Sequence, residues 1–285
     1  MSRLLAFFGL LSLATSYKPV VIIHGIFDNY KSMFDLRDLI VAAHPGTNVT
    51  LIDMYSDADS IANMWSQVHD FGKAVRQVMN EAEDGIHLIG FSQGGLVARG
   101  VIQSLTNHSI DTFVAISSPQ LGQFGDTSYL RDLPDFVRDE VWRVFYSDFG
   151  QLTSIGNYWN DPLHHTEYLK SNVFLPILNG GHSLNPMAAQ NKTAFERLGK
   201  VVLIGGPDDG VITPWQSSHF GFYAENDGID IIETTQQEIY TNDWIGLKSI
   251  DQRGDLHMYK IPGVEHVHWH GNKTVFDCCI EKWLT

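Results

Sequence analysis

A serine, a pair of aspartates and a late histidine stand in this chain in an order that suits nucleophilic acyl transfer. Ser92 lies in Gly90-Phe91-Ser92-Gln93-Gly94, after the apolar run Ile86-His87-Leu88-Ile89 and before Gly95-Leu96-Val97-Ala98-Arg99, which opens an amphipathic helix. Strand, G-x-S-x-G and helix together form a nucleophile elbow, a sharp turn in which only small flanking residues avoid a clash. The serine Oγ then stands clear at the carboxyl end of the sheet, and the helix N-terminus beneath it favours developing negative charge. A glycine-rich loop could hold a serine by chance in a chain with 25 Gly. The strand and helix on either side argue against that.

The remaining parts follow in the order Ser, Asp, His. Val20-Val21-Ile22-Ile23 runs into His24-Gly25-Ile26-Phe27-Asp28. A His-Gly segment after an early strand supplies one oxyanion N–H, here from Ile26, and the residue after the nucleophile, Gln93, supplies the other. A plain strand-to-helix turn would also accommodate His-Gly. The acid should follow a later strand, and Lys200-Val201-Val202-Leu203-Ile204 leads into Pro207-Asp208-Asp209-Gly210. Asp208 and Asp209 are both candidates, and spacing does not separate them; either also suits an Asp-Gly turn. For the base we favour His266, the first histidine after the Pro262-Gly263 turn. If that stretch were extended, His266, His268 and His270 would share a face and resemble a metal site. No partner set with metal-ligand spacing occurs elsewhere, so no metal is expected, and His268 and His270 read as surface or pocket-lining residues.

These residues need a scaffold. Strand-like segments at 20–24, 48–54, 86–91, 111–117, 200–206 and 255–261 alternate with helical stretches at 31–43, 60–80 and 93–105. That alternation predicts a mostly parallel central sheet with helices on both faces; with the elbow, it is an α/β-hydrolase fold. Residues 17–285 form one such domain. A stretch of about eighty residues, approximately 119–199, breaks the rhythm and is too long for a structureless loop. Its large aromatics (Phe124, Tyr129, Phe136, Trp142, Phe145, Tyr146, Phe149, Tyr158, Trp159, Tyr168 and Phe174) predict a mainly helical cap with a small core of its own, one side of which would wall an acyl pocket.

Composition agrees. A chain of 285 residues with 44% hydrophobic content can bury a large core. A formal charge of −14 gives no basic field for nucleic acid and, taken over the whole chain, opposes attraction to anionic lipid. Residues 1–16 carry a basic start, a short apolar core and a small-residue end, the pattern of a secretory signal peptide too short to span a bilayer. No later stretch is long enough to do so. Sequons at Asn48, Asn107, Asn191 and Asn272 fit a lumenal route. The two cysteines, Cys278 and Cys279, are adjacent in a predicted terminal helix over 273–284. Side chains about 100° apart there would strain a mutual disulfide, so free thiols are expected.

The chain resembles the palmitoyl-protein thioesterases. The likeness is carried by Ser16-Tyr17-Lys18-Pro19 with His24-Gly25-Ile26-Phe27-Asp28, by the segment from Gly90 to Ala98, and by Ser118-Pro119-Gln120. The block Val202 to Ser218, followed by Phe220-Gly221-Phe222-Tyr223, points to the type 2 branch. The resemblance implies a lysosomal, glycosylated serine hydrolase acting on fatty acyl thioesters such as palmitoyl-CoA or S-acylated peptides, without metal or cofactor; secretion is the alternative destination. It implies Asp209 as the acid and His266 as the base. Relatives carry a cysteine before the histidine loop that could pair with the C-terminal one. Here that region reads Met258-Tyr259-Lys260, which leaves Cys279 without such a partner. The rivals are a lipase or carboxylesterase acting on oxygen esters, which the triad alone does not exclude, and a catalytically inactive hydrolase fold that binds lipid, against which Ser92, Asp209 and His266 stand intact.

Overall fold

The computed structural model describes residues 17–125, 140–181 and 185–285. The expected signal peptide, and Tyr129 and Phe136 of the expected cap, lie outside them. The apolar runs form strands β1 (Val20–Ile23), β2 (Val49–Leu51), β3 (Ile86–Phe91), β4 (Ile110–Ile116), β5 (Lys200–Gly205), β6 (Phe222–Tyr223), β7 (Ile231–Ile232) and β8 (Leu256–Lys260). Six of them make one sheet in the order β2-β1-β3-β4-β5-β8, with every neighbouring pair parallel. The two-residue strands β6 and β7 pair antiparallel by themselves.

Helices α1 (Phe34–Ala43), α2 (Met64–Asn80) and α3 (Gln93–Ser104) follow the first three strands. Between β4 and β5 come α4 (Val141–Phe145), α5 (Ser154–Tyr158), α6 (His165–Ser171), α7 (Leu175–Leu178) and α8 (Ala188–Glu196). Helices α9 (Glu238–Thr241) and α10 (Leu247–Gln252) precede β8, and α11 (Lys273–Cys279) follows it.

Continuous apolar strands are what a sheet covered on both faces requires. Successive residues of β1 serve opposite cores. Val21 and Ile23 join Val68 and Phe71 of α2 and Val97 and Val101 of α3. Val20 and Ile22 join Leu36 and Ile40 of α1 and Val275 and Phe276 of α11. In α2 the apolar residues Met64, Val68, Phe71, Val75 and Met79 recur at helical spacing and are buried, while Asn63 caps its N-terminus by accepting the Trp65 N–H at 2.9 Å. All six strands run the same way, so the loops after β1, β3, β5 and β8 meet at one edge, where ligands of such sheets bind.

The segment between β4 and β5 differs from expectation in one respect. Its buried aromatics (Tyr146, Tyr158, Trp159, Tyr168 and Phe174) belong to the same core as α2 and α3 rather than to a separate one. The short helices are too small to enclose a core alone, so they share the one beneath. Helix α8 packs along α3.

The cysteines also require a correction. Cys278 and Cys279 are joined to each other in a disulfide, and among the described residues no cysteine is free. The expectation of thiols rested on the roughly 100° between neighbouring side chains of a helix. The pair forms the last two residues of α11, after which the chain leaves through Ile280 at φ −118° and ψ −55°. Cys279 is fully buried.

Candidate active site

Ser92 occupies the turn between β3 and α3 with φ +54° and ψ −128°, a conformation that side-chain-bearing residues rarely adopt. Two glycines make the turn possible. A Cβ on Gly90 would stand 2.4 Å from Gly94 O, and one on Gly94 would stand 2.3 Å from His24 O. The second contact also fixes the start of α3 against the end of β1, so the His24–Gly25 loop and the helix N-terminus are neighbours.

Ser92 Oγ lies 2.9 Å from His266 Nε2, and His266 Nδ1 lies 2.9 Å from Asp209 Oδ2. The three residues come from loops after β3, β5 and β8, and each is at least nine-tenths buried. The His266 backbone N–H donates to Asp209 O at 2.9 Å, which ties the two loops together. The neighbouring carboxylates, alike in sequence, differ in place. Asp208 is exposed and accepts the Gly263 N–H at 2.7 Å. Asp209 turns inward and accepts the Ile212 N–H at 2.7 Å and the Val211 N–H at 3.1 Å.

Two further donors on Asp209 Oδ2 were not singled out in the sequence: the Ser117 hydroxyl at 2.5 Å and the Trp269 indole N–H at 2.6 Å. Ser117 Oγ is also 3.2 Å from His266 Nδ1. Burial pushes the Asp209 carboxyl upward, but the hydrogen bond and charge of His266, the Ser117 hydroxyl and the Ile212 N–H outweigh it and hold the group below its ordinary value. A carboxylate so surrounded stays ionised and fixes the orientation of the imidazole.

On the other side of Ser92, the Phe27 N–H is taken by Ser60 Oγ at 2.7 Å, and Ser60 O accepts from Gln93 Nε2 at 2.8 Å. Ser60, also absent from the sequence reading, therefore clamps both loops. Among the described residues, the backbone N–H groups of Ile26 and Gln93 donate to nothing. Gln93 is buried and Ile26 half-buried, and a buried N–H without a protein partner is rare. His24 spans the loop, with Nδ1 2.9 Å from Gly25 O and Nε2 3.0 Å from Met54 O.

The other two histidines stand apart from this chain of contacts. Residues 266–268 form a 3₁₀ turn, not a strand, so the three imidazoles do not share a face. His268 is exposed beside Glu265, while His270 packs its ring on Phe91, 4.8 Å between centroids. Burial, partly opposed by Asp28 and Asp35, lowers the His270 pKa. Among the described residues no three His, Cys, Asp or Glu side chains are grouped to hold a metal ion.

A cavity of about 310 Å³ opens between α6 and α9, lined by Leu121, Tyr168, Leu169, Pro176, Phe222 and Trp244 among others. Ser92, Asp209 and His266 are not among its walls. The hydrogen-bonded side chains, rather than that hollow, are the candidate reacting centre.

An all-parallel sheet with a strained serine at the β3–α3 turn, followed in the chain by Asp and His, defines an α/β-hydrolase. Solved structures of similar fold include Bacillus licheniformis lipase BlEst2 in its mature form, at TM-score 0.50 and 12% identity, covering 95% of this chain and 94% of that one. The profile of the palmitoyl protein thioesterase family matches residues 19–266. Among curated proteins, lysosomal thioesterase PPT2 of Rattus norvegicus is 46% identical over 95% of this chain and 89% of its own length. The lysosomal thioesterase PPT2 homolog of Drosophila melanogaster is 43% identical over 96% and 94%. The chain belongs to the palmitoyl protein thioesterase family.

Proposed function

We propose that this chain is a lysosomal serine thioesterase that hydrolyses fatty acyl thioesters through an acyl-Ser92 intermediate. The observation that carries the reading is the continuous contact chain Ser92–His266–Asp209 beside two unpaired N–H groups, Ile26 and Gln93. His266 Nε2 takes the Ser92 proton as Oγ attacks the acyl carbonyl, and Asp209 stabilises the imidazolium. The Ile26 and Gln93 amides receive the oxyanion. The departing thiolate, whose thiol has a pKa of about 8.5, needs less protonation than an alkoxide. Water, deprotonated by His266, then attacks the acyl-Ser92 ester and releases the fatty acid.

In the same reading residues 1–16 are a cleaved signal peptide, and approximately 119–199 form the cap over the site. Asn48 and Asn107 are exposed and open to glycosylation. Asn272 and Asn191 are further sequons with local duties. Asn272 caps α11 through the Thr274 N–H, and the Asn191 backbone N–H donates to Met187 O at 2.9 Å. Turnover of palmitoyl-CoA, an S-palmitoyl peptide and the matched oxygen esters tests the reading. Thioester hydrolysis that Ser92→Ala abolishes is expected, and a preference for the oxygen esters would replace it with a lipase.

A further inference from the structure

Where α2 meets the cap segment, the surface departs from the acidic character of the chain. Val144, Phe149, Leu152 and Val173 are exposed, Phe149 to 73%. Gln151 ties together the segments that carry them. Its Oε1 accepts the Val173 N–H at 2.9 Å, its Nε2 donates to Phe145 O at 2.7 Å, and its carbonyl accepts from Asn63, the cap of α2, at 2.9 Å. Trp65, the second residue of α2, joins the patch through its indole N–H to Val173 O at 2.8 Å.

From Trp65 a row of basic side chains descends the same face of α2. His69, Lys73 and Arg76 lie four, eight and eleven residues on, a run of roughly 16 Å along the helix. They border a groove of about 290 Å³ whose floor includes Val68, Val101 and Leu105. Asp70 partners His69 and Lys73, at 3.1 and 3.3 Å. Arg76 has no hydrogen bond or ion pair among the described residues. Asp148, beside Phe149, is an acidic neighbour of the tip.

We propose that this face docks on the surface of an anionic lipid bilayer, with the Val144–Phe149–Leu152–Val173 tip entering the interface and Lys73 and Arg76 meeting lipid phosphates. Exposed apolar side chains beside a basic helix face are the composition of peripheral membrane contacts, and clustered apolar surface of this kind is unusual on a protein that stays in water. The charge of −14 is an average over the chain; at a contact, charges beyond about 8 Å are screened, and Lys73 and Arg76, offset in part by Asp70 and Asp148, set the local field. Docking here would bring a bilayer close to the reacting centre. Asn63 is three residues from Ser60, which holds the Phe27 N–H, and Phe27 is itself exposed. Among the described residues no helix is long and apolar enough to cross a membrane, so the association is peripheral.

Cosedimentation of the full chain with vesicles tests this without reference to catalysis. Binding is expected to vesicles of two parts phosphatidylcholine to one part phosphatidylglycerol and to be much weaker with phosphatidylcholine alone. Phe149→Ser with Leu152→Ser should weaken it by about tenfold per side chain removed. Lys73→Glu with Arg76→Glu should weaken it by about fivefold or more per charge. Ile229→Ser, an exposed residue outside the face, should leave it unchanged. Each variant should keep the melting temperature and the turnover of a short soluble thioester. Absence of vesicle binding by the intact protein overturns the proposal, as does binding that either double variant leaves untouched or that Ile229→Ser weakens equally. If Phe149→Ser with Leu152→Ser instead dissolves a dimer in sedimentation velocity, the face belongs to a second copy of the chain.

Discussion

Acidification from pH 7 to pH 5 should strip stability from this fold through two buried histidines. His87 lies at the centre of the sheet on β3, fully buried, with Nε2 3.3 Å from Thr285 O and Nδ1 without a partner among the described residues. Burial pushes its pKa down to about 4, against an opposing pull from Asp111. His219, in the turn after Pro214, is likewise pushed down to about 4 by burial, against the pull of backbone acceptors at Tyr259 and Leu203. In the unfolded chain each titrates near 6.5. Folding therefore favours the neutral ring. The stabilisation is complete above about pH 6.5 and is lost as pH falls through that value toward 4. Between pH 7 and 5 each histidine removes about 2 kcal/mol, and the pair about 4 kcal/mol. That is a large share of the ~5–15 kcal/mol typical of a folded domain. His108, His257 and His270, lowered by burial as well, act with the same sign. Asp209, Asp243 and Asp255 are lowered from ordinary carboxylate values, so their stabilisation is lost mainly at lower pH. Urea denaturation at both pH values measures the loss, and His87→Gln with His219→Gln should shrink it by about 4 kcal/mol whatever the variant's absolute stability. Equal or greater stability at pH 5, or a double variant that loses as much as the parent, would refute the reasoning.

Three substitution experiments address the site. Ser92→Ala, Asp209→Asn and His266→Ala should each lower turnover about 10⁴-fold, while His268→Ala and His270→Ala keep most of it; an inactive His268→Ala beside an active His266→Ala would reassign the base. Ser117→Ala removes one hydrogen bond from the Asp209 carboxylate, so the Asp209 pKa should rise and kcat/KM should fall about tenfold. An unchanged kcat/KM would leave Ser117 without a positioning role. Gly94→Ala drives a methyl into the carbonyls of Ile23 and His24, and should cost about 1–3 kcal/mol in thermal melts and lower turnover as the elbow shifts. A melting temperature equal to the parent's would contradict the packing described.

The parts of the molecule legible in the sequence are those with local causes. β1, β3 and β5 announce themselves because strands buried on both faces must be apolar throughout, and the elbow because its glycines are required by backbone contact within a few residues. β6 and β7 were missed because two residues carry no periodicity. The choice between Asp208 and Asp209 turns on which way a turn projects each side chain, and spacing is silent on that. Ser117 meets Asp209 across 92 residues of chain, and Trp269 meets it across 60, so neither contact leaves a local mark. A trace existed: Ser117 adjoins the Ser118-Pro119-Gln120 run and Trp269 sits among the histidines. The apparent metal face of His266, His268 and His270 dissolved because the segment coils into a 3₁₀ turn. The vicinal disulfide is not legible because helical geometry sets neighbouring side chains about 100° apart, whereas the two cysteines are the last two residues of a helix that stops at the second.

The central claim is that acyl groups pass through Ser92, and trapping the intermediate tests it most directly. The protein is mixed with palmitoyl-CoA, quenched in acid within the turnover time, and digested for mass spectrometry. The account predicts a palmitoyl increment on the peptide containing Ser92 that appears before free palmitate accumulates and is absent from Ser92→Ala. Steady hydrolysis with no acyl group on Ser92, or with the acyl group on another residue, would contradict it.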